Sequence, residues 1–439
     1  MGIEQITLLM MGSLVVLLVL GVPMVFVLGG IAIGAAFFLW GPEAGLMLFT
    51  HTIWGVMGKF ILAAVPMFIF MGIILQRSGV ADGLYEMIYR WMGPVRGGLA
   101  MGTVLICTAF AAMVGISGAA TVSMGVIALP SMLKRKYDKI LVTGCIQAGG
   151  ALGFLIPPSV MMIVYAMVAR ESVGRLFAGG IFPGLLLSSL FITYIAVRSY
   201  LQPHIAPALP PEERVTWKEK FISVRAVILP IILIVSVLGS IFAGVATPTE
   251  AASIGAVGSV ICAAVYRRLN WTLLKEAAFQ TVKLTAMVMW ICAGALTFGV
   301  VYTGLGASEL IKGILAGLPL GPFGILILMQ LSFFVLGAFL DDWAILFICI
   351  PIYLPVIISL GFDRVWFGVL FIINMQMAYL TPPFGYNLFY MKGVVPPSIS
   401  MADIYRSVIP FVIIQGTGLA IVMIFPQIVL WLPNLIFGV

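Results

Sequence analysis

Two proline pairs stand where the chemistry of this chain is most exposed to view. Ile156-Pro157-Pro158-Ser159 and Leu380-Thr381-Pro382-Pro383 each interrupt a long apolar run. Proline removes a backbone donor and clashes with the preceding turn, so a helix must break at each pair. Inside a bilayer, a broken helix is tolerated only where it is buried in protein or lines a cavity. The carbonyls freed at such a break can bind a cation, and half-helix N-termini can hold a carboxylate. Other polar groups cluster nearby in sequence. The stretch Ser117-Gly118-Ala119-Ala120-Thr121-Val122-Ser123 offers hydroxyls and a flexible backbone, and Gly149, Gly150 and Gly153 precede the first pair. Asn374, Thr381 and Asn387 supply oxygens around the second pair. Asp341 and Asp342 interrupt a further apolar run. A carboxylate within a membrane segment is expensive and is a functional candidate by default.

Each group also has a plainer use. Small residues in membrane helices commonly serve close packing. Asp341 and Asp342 could lie at a wet interface or cap the helix that follows. Glu250, after Thr247-Pro248-Thr249, reads as a helix N-terminal cap.

Composition sets the medium. The 439 residues are 62% hydrophobic and 9% charged, with mean hydropathy +1.19. That is a polytopic membrane protein of helical class. The net charge of +7 resides in short loops, where basic residues set topology, so nucleic acid is not an expected partner. Five cysteines lie in apolar stretches without a CxxC, and there are two histidines, His51 and His204. Neither pattern supports zinc or disulfides. A phosphate-binding GxxxxGK[ST] and a nucleophile–base constellation are both missing, so neither ATP hydrolysis nor enzymatic catalysis is expected.

The elements that must position these residues follow from the apolar runs. Spans are expected at 5–22, 23–40 and 54–75, then an interfacial helix at 81–92. Residues 97–133 read as a re-entrant hairpin with its tip at Gly115 to Ala120. A broken span at 138–169 and a span at 174–198 complete the first half. The polar, proline-rich stretch 199–225 is a linker. Spans near 226–246, 249–266 and 277–301 then precede a short helix at 307–317. A second hairpin at 322–360, a broken span at 365–392 and a last span at 407–435 finish the chain. Counted apart from the hairpins, these make about ten spans.

The second half repeats the first. Adding 225 takes Pro23 to Pro248, Pro130 to Pro355, Asp138 to Asp363, and Pro157-Pro158 to Pro382-Pro383. Lys134, Arg135, Lys136 and Lys139 follow the first hairpin, whereas the equivalent loop carries only Arg364. Equivalent loops with opposite charge bias imply halves of inverted topology. Placing 76–97 in the cytoplasm leaves Lys59, Arg170, Arg175, Lys312 and Arg364 outside. The N-terminus is then periplasmic, and the first hairpin enters from the cytoplasm.

The run Gly115-Ile116-Ser117-Gly118, then Pro130, Tyr137-Asp138, Gly153, Ile156 to Ser159 and Tyr165, resembles the large membrane subunit of tripartite ATP-independent periplasmic (TRAP) transporters, the DctM-like family. So do Leu176 to Gly184, Pro248 to Ala252, Gly337 to Asp341, and Thr381 to Gly385, in family order along nearly the whole chain. The resemblance implies a Na⁺-driven elevator-type secondary transporter of the bacterial inner membrane, with no organic cofactor. The scaffold would be 1–76 and 225–305, and the transport parts 97–200 and 322–439. Residues 77–96 and 306–321 would be arms, and 201–224 a cytoplasmic linker. A small membrane subunit would brace the scaffold. A periplasmic solute-binding protein would deliver an organic acid: a C4-dicarboxylate, a 2-oxo acid, sialic acid or a similar carboxylate. By motif position, Ser117, Gly118, Gly153 and Pro157 would belong to one Na⁺ site. Gly337, Asp341, Thr381 and Pro382 would belong to the other. Ser159, Asn374, Asn387 and Asp342 are substrate-binding candidates. Asp342 departs from the family pattern, which usually has a small or apolar residue there.

Two other readings compete. One is a self-sufficient symporter for Na⁺ and a divalent anion with similar hairpins, which would need no periplasmic protein. The other is a membrane-embedded enzyme or proton-pumping subunit, which would need intramembrane His, Glu, Lys or cofactor ligands.

Overall fold

The computed structural model describes residues 2–438 except 116, 214, 307–309, 311–312, 314–316, 318 and 384. The described residues are helical throughout, with no strand among them.

Helix α1 (Ile3–Val19) and α2 (Met24–Trp40) lie where the apolar runs place them. The third expected span is different. Helix α3 (Pro42–Met57), a 3₁₀ turn at Phe60–Ala63 and α4 (Ala64–Arg77) replace one span at 54–75. Gly41, at φ 101°, turns the chain, and Pro42 sits at the first helical position, where its missing N–H costs nothing. Helix α5 (Val80–Met92) is the expected amphipathic piece, burying Ala81, Leu84, Tyr85 and Ile88 on one side.

The first hairpin is α6 (Gly98–Val114) and α7 (Ser117–Lys134). The broken span is α8 (Lys139–Ala151), a 3₁₀ turn at Leu152–Phe154, and α9 (Val160–Ala169). Asp138 caps α8 through Leu141 N–H, and Ser159 caps α9 through Met162 N–H. Helix α10 (Val173–Leu201) closes the first half.

The linker is shorter than the proline-rich stretch. Helix α11 (Trp217–Phe242) already begins behind Thr216, whose capping box with Glu219 satisfies two end N–H groups. Before it, Glu213 receives Arg135 at 2.7 Å and the Tyr89 hydroxyl. Tyr89 and then Arg135 hold the Glu213 carboxyl below its usual range. The linker is thereby tied to α5 and to the end of α7.

Helix α12 (Pro248–Val265) is capped by Thr247 and Glu250 in a second capping box, the structural use foreseen for Glu250. Helix α13 (Trp271–Gly304) is a single 34-residue helix. The short helix expected at 307–317 lies outside the described residues. The second hairpin is α14 (Pro322–Gly337) and α15 (Asp342–Ser359). The second broken span is α16 (Arg364–Ala378) and α17 (Tyr386–Val394). The last expected span is two helices, α18 (Met401–Ile424) and α19 (Gln427–Phe437). Pro426 removes the donor that would continue the helix.

The offset of 225 recurs in the helix boundaries. Ser117–Lys134 maps onto 342–359, the range of α15, and Lys139–Ala151 maps into α16. Val160–Ala169 maps onto 385–394, the range of α17 with one residue before it. Packing is reciprocal as well. Helix α4 packs on α12 while α2 packs on α13. Helix α7 packs on α17 while α15 packs on α9, and α8 on α17 while α16 on α9. Reciprocal contacts are the signature of a two-fold relation between units.

The reciprocity is incomplete: α6 packs on α10, but their counterparts α14 and α18 make no comparable contact. Helices α6 and α9 pack against α4, but their counterparts α14 and α17 make no comparable contact with α13. Phe323, Leu331 and Val335 of α14 and Phe389 of α17 are left exposed.

Seven helices among the described residues are long and apolar enough to cross a membrane. Large apolar side chains cover the outside, with Phe38 85% and Trp54 80% exposed. Such a surface is stable only against lipid or protein.

Candidate functional site

The two hairpin tips and the two helix breaks meet in one place. In the first half, Gly115 turns the hairpin with φ 65°, and a Cβ there would come within 2.5 Å of the Pro158 carbonyl. Only glycine accommodates both demands. The tip is thereby seated on the first proline pair. One turn further along, Gly150 faces Thr121, and a Cβ on Gly150 would collide with the Thr121 hydroxyl.

Asn387, at the start of α17, reaches across from the second half. Its Oδ1 accepts from Ser117 Oγ at 3.3 Å and from Thr121 Oγ1 at 3.2 Å. Its Nδ2 donates to the Gln147 carbonyl at 3.1 Å. Ser117, Thr121, Gln147 and Asn387 are all fully buried. This knot joins α7, α8 and α17, and its acceptors are neutral hard oxygens.

The second half builds a different tip. Gly337 ends α14 against Ala378, with no room for a Cβ. Asp341 occupies the N-cap position of α15 without a side-chain capping bond. Asp342 follows, 3% exposed, and neither of its carboxyl oxygens has a hydrogen-bond partner. Tyr379, Tyr386 and Tyr390 lie within electrostatic range of both aspartates. The rings of Tyr379 and Tyr386 are 5.3 Å apart, and Phe154 from the first break meets Tyr379 edge-on at 4.6 Å. Tyr390 lies over Gly118 of the first tip.

The two breaks differ in access. Residues 151–160 are buried throughout, whereas Pro382, Pro383, Tyr386 and Tyr390 are exposed. Both proline pairs contain a cis peptide bond.

Of the sequence-derived residues, Ser117 and Gly118 lie at the first tip and Gly153 and Pro157 at the first break, where α7 packs on the Leu152–Phe154 turn. Gly337, Asp341, Asp342, Thr381 and Pro382 gather at the second. Ser159 is turned inward: its hydroxyl donates to the Phe154 carbonyl at 2.6 Å and caps α9. Thr381 Oγ1 donates to the Met377 carbonyl at 2.7 Å. Asn374 is not brought to the breaks. It lies two turns earlier in α16 and donates to the Gln330 carbonyl and side-chain oxygen, at 2.7 and 3.1 Å. Gln147 and the three tyrosines were missed from sequence. Gln147 did carry a signal, being an amide in an apolar helix just ahead of Gly149-Gly150.

Gly150→Ala tests the seating of the first tip. The added methyl must displace Thr121 and strain its bond to Asn387. Overpacking of this kind costs about 1–3 kcal/mol. The expected result is a lowered melting temperature with strongly reduced transport, read by thermal unfolding and vesicle uptake. Wild-type values in both would show that the packing gives way.

Comparison with known proteins places this architecture. Residues 11–428 match the family described as "Tripartite ATP-independent periplasmic transporter, DctM component". The chain belongs to that DctM family. The C4-dicarboxylate TRAP transporter large permease protein DctM of Vibrio cholerae is 33% identical, over 100% of this chain and 99% of its own length. The ectoine/5-hydroxyectoine TRAP transporter large permease protein UehC of Ruegeria pomeroyi is 31% identical, over 97% and 98% respectively. Among solved structures, the YdaH transporter of Alcanivorax borkumensis shares the fold. Its TM-score is 0.62 at 18% identity, covering 86% of this chain and 88% of that one. As a DctM component, the chain is the large permease subunit of a TRAP transporter and a multi-pass membrane protein.

Proposed function

We propose that this DctM subunit is a Na⁺-coupled importer of an organic acid in a bacterial inner membrane, fed by a periplasmic solute-binding protein and braced by a small membrane subunit. The observation that carries the reading is the convergence of two hairpin tips and two broken helices on buried oxygens. Na⁺ is a hard cation and takes oxygen ligands, as Ca²⁺ and Mg²⁺ do. Around Ser117, Gly118, Gly153 and Pro157, hydroxyl and carbonyl oxygens are available without a fixed charge. Around Gly337, Asp341, Thr381 and Pro382, backbone carbonyls are joined by one carboxylate. The N-termini of α9 and α17 point partial positive charge into the same region, which suits a substrate carboxylate.

The halves are inverted in this reading. Reciprocal packing supports a two-fold relation, and the opposite charge bias of equivalent loops supports an axis in the membrane plane. Residues 1–76 and 225–305 form the scaffold, and 97–200 with 322–439 move against it as an elevator. The N-terminus is periplasmic. The relatives named for C4-dicarboxylates and for ectoine support a carboxylate-bearing cargo.

The test is uptake into proteoliposomes that hold this chain and its small subunit. Labelled organic acids are offered with and without a Na⁺ gradient and the periplasmic protein. Dependence on both is expected. Uptake that needs Na⁺ but no binding protein would favour a self-sufficient symporter instead. In the same assay, Asp341→Asn is expected to raise half-saturation for Na⁺ about tenfold, the equivalent of about 1.4 kcal/mol. Unchanged Na⁺ dependence would remove Asp341 from the ion site.

A further inference from the structure

Asp342 is the buried carboxylate that the Na⁺ sites proposed above do not use. It is 3% exposed, and both oxygens lack a hydrogen-bond partner. Among the described residues, no ion pair reaches the Asp341–Asp342 tip. A carboxylate taken out of water loses several kcal/mol of solvation, which a partner charge, hydrogen bonds or a proton must recover. The N-terminus of α15 favours an anion there, but by only about 0.3–1 kcal/mol. That is too little to satisfy a buried carboxylate.

The internal repeat sharpens the point. The counterpart of Asp342 is Ser117, and Ser117 is met by Asn387 from the opposite half. The counterpart of Asn387 is Met162, which offers Asp342 no donor. The protein supplies a partner on one side of the repeat and none on the other.

We propose that Asp342, with Tyr379, Tyr386 and Tyr390, forms a subsite for a positively charged organic group, of the ammonium or amidinium class, carried by the transported acid. The proposal rests on the hairpin junction being the substrate chamber. Tyrosines gathered around a carboxylate are surroundings in which an organic cation can be held. Tyr386 and Tyr390 are each 39% exposed, so the cluster runs from the surface down to the buried carboxylate. A second carboxylate on the substrate would meet Asp341 and Asp342 as like charges. The favoured cargo is therefore a zwitterion or amino acid-like anion rather than a plain dianion.

The test compares acids that differ only by an amino group. Aspartate is paired with succinate and alanine with propionate, and ectoine is added as an amidinium probe. Uptake is measured in proteoliposomes of the full chain with its partners, for wild type, Asp342→Asn and Asp342→Glu. Wild type is expected to favour the cationic member about tenfold. Asp342→Asn should erase that preference, and Asp342→Glu should restore part of it. The proposal is overturned by a wild type that favours the cation-free member, or by an Asn variant with unchanged preference. A change in Na⁺ dependence alone would assign Asp342 to an inorganic ion and also overturn it. A wild type in which Na⁺ and the binding protein drive no acid would be a failure of the transport reading itself, seen before any variant is compared.

Discussion

Asn387→Leu is expected to abolish uptake while the protein still inserts in the membrane. Leucine keeps asparagine's heavy-atom count and branching but is bulkier, so some overpacking adds to the loss. What is lost is the amide that receives Ser117 and Thr121 and donates to Gln147. Each buried polar group left unmet costs about 1–3 kcal/mol. Three groups on two helices, α7 and α8, lose the partner that α17 supplied, so the junction of the three helices loosens as a unit. The first tip then no longer holds its hydroxyl oxygens in register with the first break. Melting temperature and uptake should both fall, with uptake below detection. Full uptake by the leucine variant would mean that the knot is not part of the transport machinery. Asn387→Asp gives a second view. It keeps an acceptor toward the hydroxyls, turns a carboxylate oxygen on the Gln147 carbonyl, and buries a charge. It too should be inactive.

A second large effect is expected from thiol labelling at two positions related by the repeat. Val164 in α9 is fully buried, and its counterpart Phe389 in α17 is 50% exposed. This difference follows from α9 packing on α4 while α17 makes no comparable contact with α13. On the inverted-repeat, elevator reading proposed above, a molecule that shows one such asymmetry can adopt the opposite one with the roles of its halves exchanged. Phe389→Cys should therefore label quickly and Val164→Cys slowly in the state seen here. Conditions that drive the transport parts to the other side should reverse the order. The native cysteines are all buried, so the background is low. Labelling rates that never exchange between the two positions, under any combination of Na⁺, substrate and binding protein, would rule out this exchange of contacts.

Much of the fold could be read from particular residues. The breaks at Pro157-Pro158 and Pro382-Pro383 were legible because proline acts on its own backbone, whatever surrounds it. The capping role of Glu250 was equally local, since a cap is decided within one turn. The misplaced elements were those decided by small local contests inside apolar sequence. Gly41-Pro42 starts α3 in a stretch that reads as a loop, and Pro426 divides a run hydrophobic enough for one span. Hydropathy measures medium, and it is nearly blind to a turn made of apolar residues.

The candidate site divides along the same line. Asp341 and Asp342 were visible because a carboxylate in an apolar run is conspicuous in any context. Asn374 was equally conspicuous, yet the structure turns it to Gln330 and away from the breaks. Asn387 looked like one more polar residue near a proline pair and proved to be the pin between the halves.

The sequence alone determined the medium, the helical class, the two breaks, the 225-residue repeat and the family pattern. Each of these is written in local composition or in spacing along the chain. Only the tertiary structure decided which polar groups meet. Asn387 to Ser117 spans 270 positions, and no local rule fixes a contact at that range. It also decided that the first break is buried and the second open, and that Asp342 is left without a partner. Those facts depend on how two similar halves pack against each other, and similar sequences can pack unequally.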